Sequence, residues 1–165
     1  MAMSRFLDRF PELGIQETRS AEVPPGQALP AGQYGFFEFY CEDRNCDCRR
    51  VIISVLRPQT GRKIWATIAY GWEPAEFYDK WNQGPAGDFG DLKGPYLDEL
   101  NPQSEYSQEI LEVFRTVLQS PGYVQRLEKH YRMFRDEADK KGAPDLLVVA
   151  NRRKRLRDPS RRKHR

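Results

Sequence analysis

Three short stretches near the middle of the chain are rich in apolar residues, and each ends at residues typical of turns. They cover about residues 34–40, 49–57 and 63–70. Pro58 ends the second stretch, and Gln59-Thr60-Gly61 supplies a tight turn before the third. The pattern predicts three strands joined as an antiparallel meander.

The first stretch departs from a simple two-residue alternation, because Phe36, Phe37 and Phe39 are all aromatic. This indicates either burial on both faces of the strand or an aromatic outer surface. Aromatic side chains on a sheet can stack on nucleic-acid bases, but no RNP-type motif accompanies these three. We therefore assign them to packing.

After residue 103 the apolar positions recur at helical spacing, which predicts two long helices over about 104–119 and 121–141. Pro121 suits the first position of the second helix, and Gly142 suits the residue after its end. A shorter amphipathic helix is predicted over 75–81. The two long helices would pack on the sheet.

The remaining segments are predicted as short elements or loops. Residues 4–10 form a short helix with Ser4 as N-cap, and residues 20–33, with several prolines and glycines, form a loop or strap. Residues 83–102 form a long loop, of a length that often carries function, and are a candidate protein-binding segment. The apolar run at 145–150 is a candidate fourth strand.

These elements predict an α+β domain over residues 1–150, with an antiparallel sheet of three to four strands packed by two long helices. The 165 residues suit one domain, and aromatic residues, 12% of the chain, supply much of its core. No stretch approaches the about 20 apolar residues of a membrane span, and the N-terminus lacks the apolar core of a signal peptide. We therefore expect no membrane partner and a cytoplasmic protein, or a nuclear one in a eukaryote.

The net charge of +3 combines two parts of opposite sign. The chain has 27 Lys/Arg and 24 Asp/Glu, of which residues 152–165 hold nine Lys/Arg and one Asp. Residues 1–151 therefore hold 18 Lys/Arg and 23 Asp/Glu, a net charge of −5. We expect a disordered basic arm over residues 151–165 that binds RNA or DNA through counterion release; the alternative is a solubilising terminus. Arg49 and Arg50 either extend this basic surface or protect a strand edge. The predicted nucleic-acid-binding residues of the arm are Arg152, Arg153, Lys154, Arg155, Arg157, Arg161, Arg162, Lys163 and Arg165.

All three cysteines lie within eight residues, as Cys41-x4-Cys46-x-Cys48, between the first two predicted strands. Thiolate is a preferred ligand of zinc, and residues i and i+2 of an extended chain point to the same side. An odd number of cysteines in a reducing compartment favours metal ligands over disulfides. The motif predicts a Zn²⁺ site at this connection; the alternative is a turn with free thiols.

His130 is the candidate fourth ligand, since the other histidine, His164, lies in the basic arm. It follows Tyr123 by seven residues and Leu127 by three, which places it on the apolar face of the second long helix. Packed over the sheet, that face can bring the imidazole to the cysteines. The alternative is a core histidine bonded to a backbone carbonyl.

The sequence favours a binding protein over an enzyme. It contains no His-Glu-x-x-His motif, no Gly-rich phosphate loop and no Gly-x-Ser-x-Gly elbow. We predict a non-catalytic, zinc-stabilised accessory protein that associates with nucleic acid or a ribonucleoprotein through its basic arm. One alternative is a protein-protein interaction module that uses residues 83–102, and another is a zinc-dependent hydrolase or nuclease with an open position on the metal.

Overall fold

One antiparallel sheet carries the fold. In a computed structural model, which describes residues 2–81 and 92–141, this sheet has six strands. They are β1 (Met3–Arg5), β2 (Arg19–Val23), β3 (Gly32–Cys41), β4 (Arg50–Leu56), β5 (Ile64–Gly71) and β6 (Tyr96–Leu97). The predicted meander corresponds to β3, β4 and β5, which neighbour one another in that order. The prediction of the central sheet is confirmed.

Strand β3 is hydrogen-bonded along both of its sides. On one side it pairs with β4 from Gly35 to Phe39. On the other side two short strands share its edge: β1 places Met3 opposite Cys41, and β2 places Ala21 opposite Tyr34. Because three strands fix its position, β3 is the most constrained strand of the sheet.

Five helices accompany the sheet in the described residues. They are α1 (Phe6–Arg9), α2 (Pro11–Glu17), α3 (Ala75–Trp81), α4 (Ser107–Leu118) and α5 (Tyr123–Lys141). The two predicted long helices correspond to α4 and α5, which confirms the α+β class. None of these helices is both long enough and apolar enough to span a membrane.

The N-terminal segment differs from the prediction. Ser4, expected to cap a helix, lies in β1 opposite Tyr40, and helix α1 begins at Phe6 without a side-chain cap. A second helix then starts at Pro11 where the first was expected to end, because proline is favoured in the first turn of a helix. Backbone pairing with the edge of β3 outweighs the local preference of Ser4 for a cap.

Two segments predicted as loops contribute strands. Residues 20–33 contain most of β2, and residues 92–102 contain β6 and run along β5. The Asp98 N–H, for example, donates to the carbonyl of Thr67 at 2.9 Å. These backbone bonds join residues that are far apart in sequence, so a local pattern does not reveal them. Three predicted features lie outside the described residues: the first part of the 83–102 loop, over 83–91, the strand at 145–150 and the boundary before the basic arm.

The aromatic run of β3 is divided between the two faces of the sheet. Phe36 is fully buried beneath α4, with its ring 5.5 Å from that of Phe114. Phe37 and Phe39 are half-buried on the opposite face. We call the side covered by α4 and α5 the helix face and the other side the second face. Both faces of β3 are therefore partly covered, one by helices and one by shorter segments.

Candidate metal centre

The three cysteines converge at the connection between β3 and β4. Cys41 is the last residue of β3, Cys46 lies in the turn, and Cys48 precedes β4 by two residues. Their sulfur atoms all lie within 4.8 Å of one another. Cys41 and Cys48 are buried and Cys46 is half-buried. Sulfurs at about 2.3 Å from one tetrahedral ion lie within this separation, so the cluster can hold a metal ion.

The backbone of this connection turns its N–H groups toward the sulfurs. The Asp43 N–H donates to Cys41 Sγ at 3.4 Å, and the Arg50 N–H donates to Cys48 Sγ. Asn45 and Arg49 have φ angles of 60° and 45°, in the left-handed region that non-glycine residues rarely enter. N–H groups aimed at sulfur stabilise negative charge on it, which suits a thiolate ligand.

Side-chain contacts of Arg49 hold this unfavourable backbone conformation. Its guanidinium donates to both carboxylate oxygens of Asp47 at 2.9 Å and to Glu73 at 3.1 Å. It also lies over the ring of Phe77, 4.6 Å from the ring centre. Arg49 therefore ties the cysteine connection to the segment that begins α3.

The backbone of Arg49 is fixed by two tyrosines from different helices. Its N–H donates to the hydroxyl of Tyr131 on α5 at 3.4 Å, and its carbonyl accepts from the hydroxyl of Tyr78 on α3 at 2.8 Å. Burial raises the pKa of Tyr78 to about 12, so this hydroxyl keeps its proton and remains a donor at neutral pH. Two helices thus position the residue that follows the last cysteine.

Arg135 on α5 supports the other end of the connection. Its guanidinium is buried and donates to the carbonyls of Cys41 and Asp43 at 3.0 and 2.8 Å. A second terminal nitrogen donates to Asp139 at 2.7 Å, one helical turn further along α5. A buried guanidinium needs such partners, because an unsatisfied charged donor is costly. Arg135 therefore links the cysteine connection to α5.

Burial and neighbouring sulfurs keep two of the thiols protonated when no cation is present. Burial, with a smaller contribution from Cys46, raises the pKa of Cys41 to about 11 and that of Cys48 to about 12. A metal ion binds the thiolate form and so displaces these protons. The positive charge of an ion would offset the repulsion that three close thiolates otherwise suffer.

The structure places His130 in a different group from the three sulfurs. Its side chain is 1% exposed, and Phe6 stacks on the imidazole with 4.1 Å between ring centres. Nδ1 contacts Glu38 Oε2 at 2.7 Å, and Nε2 contacts Glu17 Oε2 at 2.6 Å. Both ring nitrogens of His130 contact carboxylates, and the group of candidate metal ligands does not include this residue. Its partners are carboxylates, whereas the alternative prediction is a bond to a backbone carbonyl.

The carboxylates around His130 form a buried polar row that joins α2, α5 and β3. Glu38 is 5% exposed, and its Oε2 also accepts from the Tyr40 hydroxyl at 2.8 Å. Burial alone would raise the pKa of Glu17. Its hydrogen bond to His130 and its electrostatic interaction with that side chain instead hold the pKa of Glu17 below its ordinary value. The two carboxylates therefore engage both ring nitrogens of His130.

Sequence reasoning identified the cysteines and missed the arginines that position them. Arg49 had been assigned to a basic surface or a strand edge, whereas it folds back onto the cysteine connection. Arg135 gave no sequence signal beyond its place on the same face as Leu127 and Tyr131. The basic-arm residues lie outside the described part of the chain, so the structure does not describe their placement.

The centre offers three sulfur ligands that could hold a metal ion. In residues 2–81 and 92–141, the cluster contains no fourth cysteine, histidine, aspartate or glutamate. Nearby carboxylates face arginines: Asp47 and Glu73 pair with Arg49, and Glu42 pairs with Arg9. No family model, no curated protein and no solved structure matches this chain. The function is therefore inferred from this geometry.

We expect the side-chain contacts of Arg49 to stabilise the fold and its left-handed backbone conformation to destabilise it. Arg49→Ala keeps the left-handed backbone and loses the side-chain contacts, so it should lower the free energy of unfolding by about 1–2 kcal/mol. Arg49→Gly removes the same contacts but tolerates the conformation, and should be about 1 kcal/mol more stable than Arg49→Ala. Urea denaturation measures both. The exposed Arg62→Ala is the control, and equal stability of the two Arg49 variants would contradict the role of the backbone.

His130→Ala should destabilise the fold and leave the metal bound. Removing the imidazole leaves the buried Glu38 with only the Tyr40 hydroxyl as a partner, which should lower the free energy of unfolding by about 3 kcal/mol. Lys129→Ala, an exposed neighbour on the same helix that lies 3.7 Å from Glu17, should change it by less than about 0.5 kcal/mol. Urea denaturation gives the stability, and cobalt-thiolate absorption reports the metal site. Loss of the cobalt signal at unchanged stability would instead identify His130 as a ligand.

Proposed function

We propose that this chain is a non-catalytic binding protein whose fold is stabilised by one zinc ion and which associates with RNA or DNA through its basic arm. The proposal rests chiefly on the cluster of Cys41, Cys46 and Cys48. Two of these cysteines are buried. The connection that carries them is held by Arg49, which belongs to it, and by Arg135 on α5. Such a centre is typical of structural metal sites.

Zinc is the favoured ion because of the ligand set. Thiolates are soft ligands and select zinc, copper(I) or iron-sulfur clusters over magnesium or calcium. Structural zinc sites are four-coordinate, and the described residues supply three sulfurs. The fourth ligand would then come from solvent, from a bound molecule or from a residue outside the described ranges. Metal binding would contribute directly to folding, since the free energy of binding adds to the stability of the folded state.

A structural role is favoured over hydrolysis. A catalytic zinc ion lowers the pKa of a bound water, and three thiolates weaken that effect by donating charge to the metal. A hydrolase also needs a general base close to the water. The carboxylates of Asp47 and Glu73 are paired with Arg49, and His130 is enclosed by its own carboxylates. These pairings favour binding as the function of the centre.

Nucleic acid is the favoured partner because the charge is segregated. Nine Lys/Arg and one acid lie in residues 152–165, whereas residues 1–151 carry a net −5. An acidic body does not attract polyphosphate, so attraction would come from the arm and would weaken as salt increases. The described part of α5 ends at Lys141, and Arg135 on the same helix contacts the cysteine connection. Zinc binding would thus stabilise the helix from which the arm continues.

A protein-interaction module is the second candidate. Leu100, in the turn that follows β6, is 97% exposed, and Ile15 on α2 is also exposed. Single exposed apolar side chains are common, so this observation carries less weight than the charge of the arm. The salt dependence of binding separates the two candidates, because apolar contacts are not weakened by salt.

Purified protein should contain about one zinc ion per chain, because the motif supplies one set of ligands. Cys46→Ser and Cys48→Ser should each lower the zinc content and the melting temperature, since serine retains the shape but not the soft thiolate. Elemental analysis of protein prepared without chelator measures the metal. Ala28→Ser, which introduces a serine at an exposed position outside the helices and strands, serves as the control. Stoichiometric absence of both zinc and iron would contradict the proposal.

Deleting residues 152–165 should abolish salt-sensitive binding to RNA and DNA while the melting temperature stays unchanged. The deletion removes nine positive charges and no described residue. Fluorescence anisotropy with labelled single-stranded RNA and duplex DNA, at low and at physiological salt, measures the binding. A full-length variant with the nine Lys/Arg changed to Gln controls for chain length. Undiminished binding by the truncated chain would show that another surface carries the interaction.

A further inference from the structure

A cavity of about 740 Å³ lies on the second face of the sheet, opposite α4 and α5. Phe39, Ile52 and Thr67 form its floor, because residues at these positions point away from the helix face in β3, β4 and β5. Trp81 at the end of α3 and Tyr96 in β6 form its walls. The volume lies within the range of about 300–1,000 Å³ that is usual for small-molecule sites.

Most of the cavity surface is apolar, and several of its polar groups already have partners. The Thr67 hydroxyl donates to the carbonyl of Pro102 at 3.0 Å. The Asp98 carboxylate accepts from the Leu100 N–H at 3.2 Å and from the Asn101 side chain at 2.8 Å. These bonds fix the turn that closes one side of the cavity. Neither group is therefore the obvious anchor for a ligand.

Two residues of the lining are charged, Asp98 and Arg50, and neither forms an ion pair within residues 2–81 and 92–141. Both oxygens of the Asp98 carboxylate already accept hydrogen bonds, which leaves Arg50 as the candidate anchor. Its Nη2 donates to the Tyr96 hydroxyl, and its guanidinium lies 5.7 Å from the centre of the Tyr96 ring. Its Nε is buried without a hydrogen-bond partner. No carboxylate of residues 2–81 and 92–141 forms an ion pair with Arg50, whereas the adjacent Arg49 pairs with two. Leaving the buried Nε–H of a half-buried guanidinium without an acceptor is costly, and an anion in the cavity would supply an acceptor.

We propose that this cavity binds a small, mainly apolar molecule with a carboxylate head. The carboxylate pairs with the Arg50 guanidinium, which presents a fork of N–H donors suited to two oxygens. The apolar body lies against Phe39, Ile52 and Trp81. Cys48 also lines the cavity, but the proposal requires neither a zinc ion on the cysteines nor the basic arm, so the functions proposed above and this one can fail separately.

Binding of octanoate and of 1-octanol to the purified full chain tests the proposal by isothermal titration calorimetry. The two molecules share an apolar chain and differ in the head group. 2-Naphthoate serves as a second anion with an aromatic body. We expect one octanoate or 2-naphthoate per chain, bound about tenfold more tightly than 1-octanol, because a charge-assisted hydrogen bond contributes in this range.

Three variants locate the site. Arg50→Met keeps the length of the side chain without its charge, and should weaken octanoate about tenfold while leaving 1-octanol unchanged. Ile52→Trp fills the floor and should weaken both molecules. Arg132→Met, an exposed arginine on α5, is the matched control and should change neither. Zinc content and circular dichroism check that each variant remains folded.

Three results would overturn the proposal. They are equal affinity of the unmodified protein for octanoate and 1-octanol, unchanged octanoate binding by Arg50→Met, and no saturable binding of either anion. The second result would also indicate that anions bind elsewhere, for instance at the basic arm. Because the comparison of octanoate with 1-octanol uses the unmodified chain, the proposal stays testable even if a variant fails to fold.

Discussion

The two-residue period of β3 is the constraint on which the rest of the structure depends. This strand is paired on both sides, so its register is fixed, and a shift by one residue would exchange its two faces. In the observed register Glu38 and Tyr40 point to the helices, Phe39 points to the cavity, and Cys41 ends the strand at the metal centre. One register therefore sets the buried polar row, the cavity and the first sulfur together.

The metal centre is joined to the helices by arginines and tyrosines. Arg135 reaches from α5 to the carbonyls of Cys41 and Asp43, and Tyr131 reaches from the same helix to the backbone of Arg49. These bonds act on the backbone of the connection, so they position the sulfurs without occupying a coordination site. Metal binding and the docking of α5 should consequently stabilise each other.

Arg49 and Arg50 are adjacent and serve different ends. Arg49 folds back onto the cysteine connection, and its positive charge is paired with Asp47 and Glu73 at a partly exposed site. Arg50 is the first residue of β4 and extends into an apolar cavity, where its nearest described partner is the hydroxyl of Tyr96. Arg49 has a left-handed backbone conformation and precedes β4, whereas Arg50 is the first residue of the strand.

Local pattern alone determined the central strands, the two long helices and the clustering of the cysteines. A strand period, a helix period and a short spacing are all properties of neighbouring residues, so a sequence displays them. Tertiary structure decided which edge β1 would join, which partners His130 would take and where Arg50 would point. The contacts of His130 with Glu38 and Glu17 span 92 and 113 residues, and nothing in a local window selects among such partners. Burial made that selection, because each polar group enclosed by the packed layers needs a partner within hydrogen-bond distance.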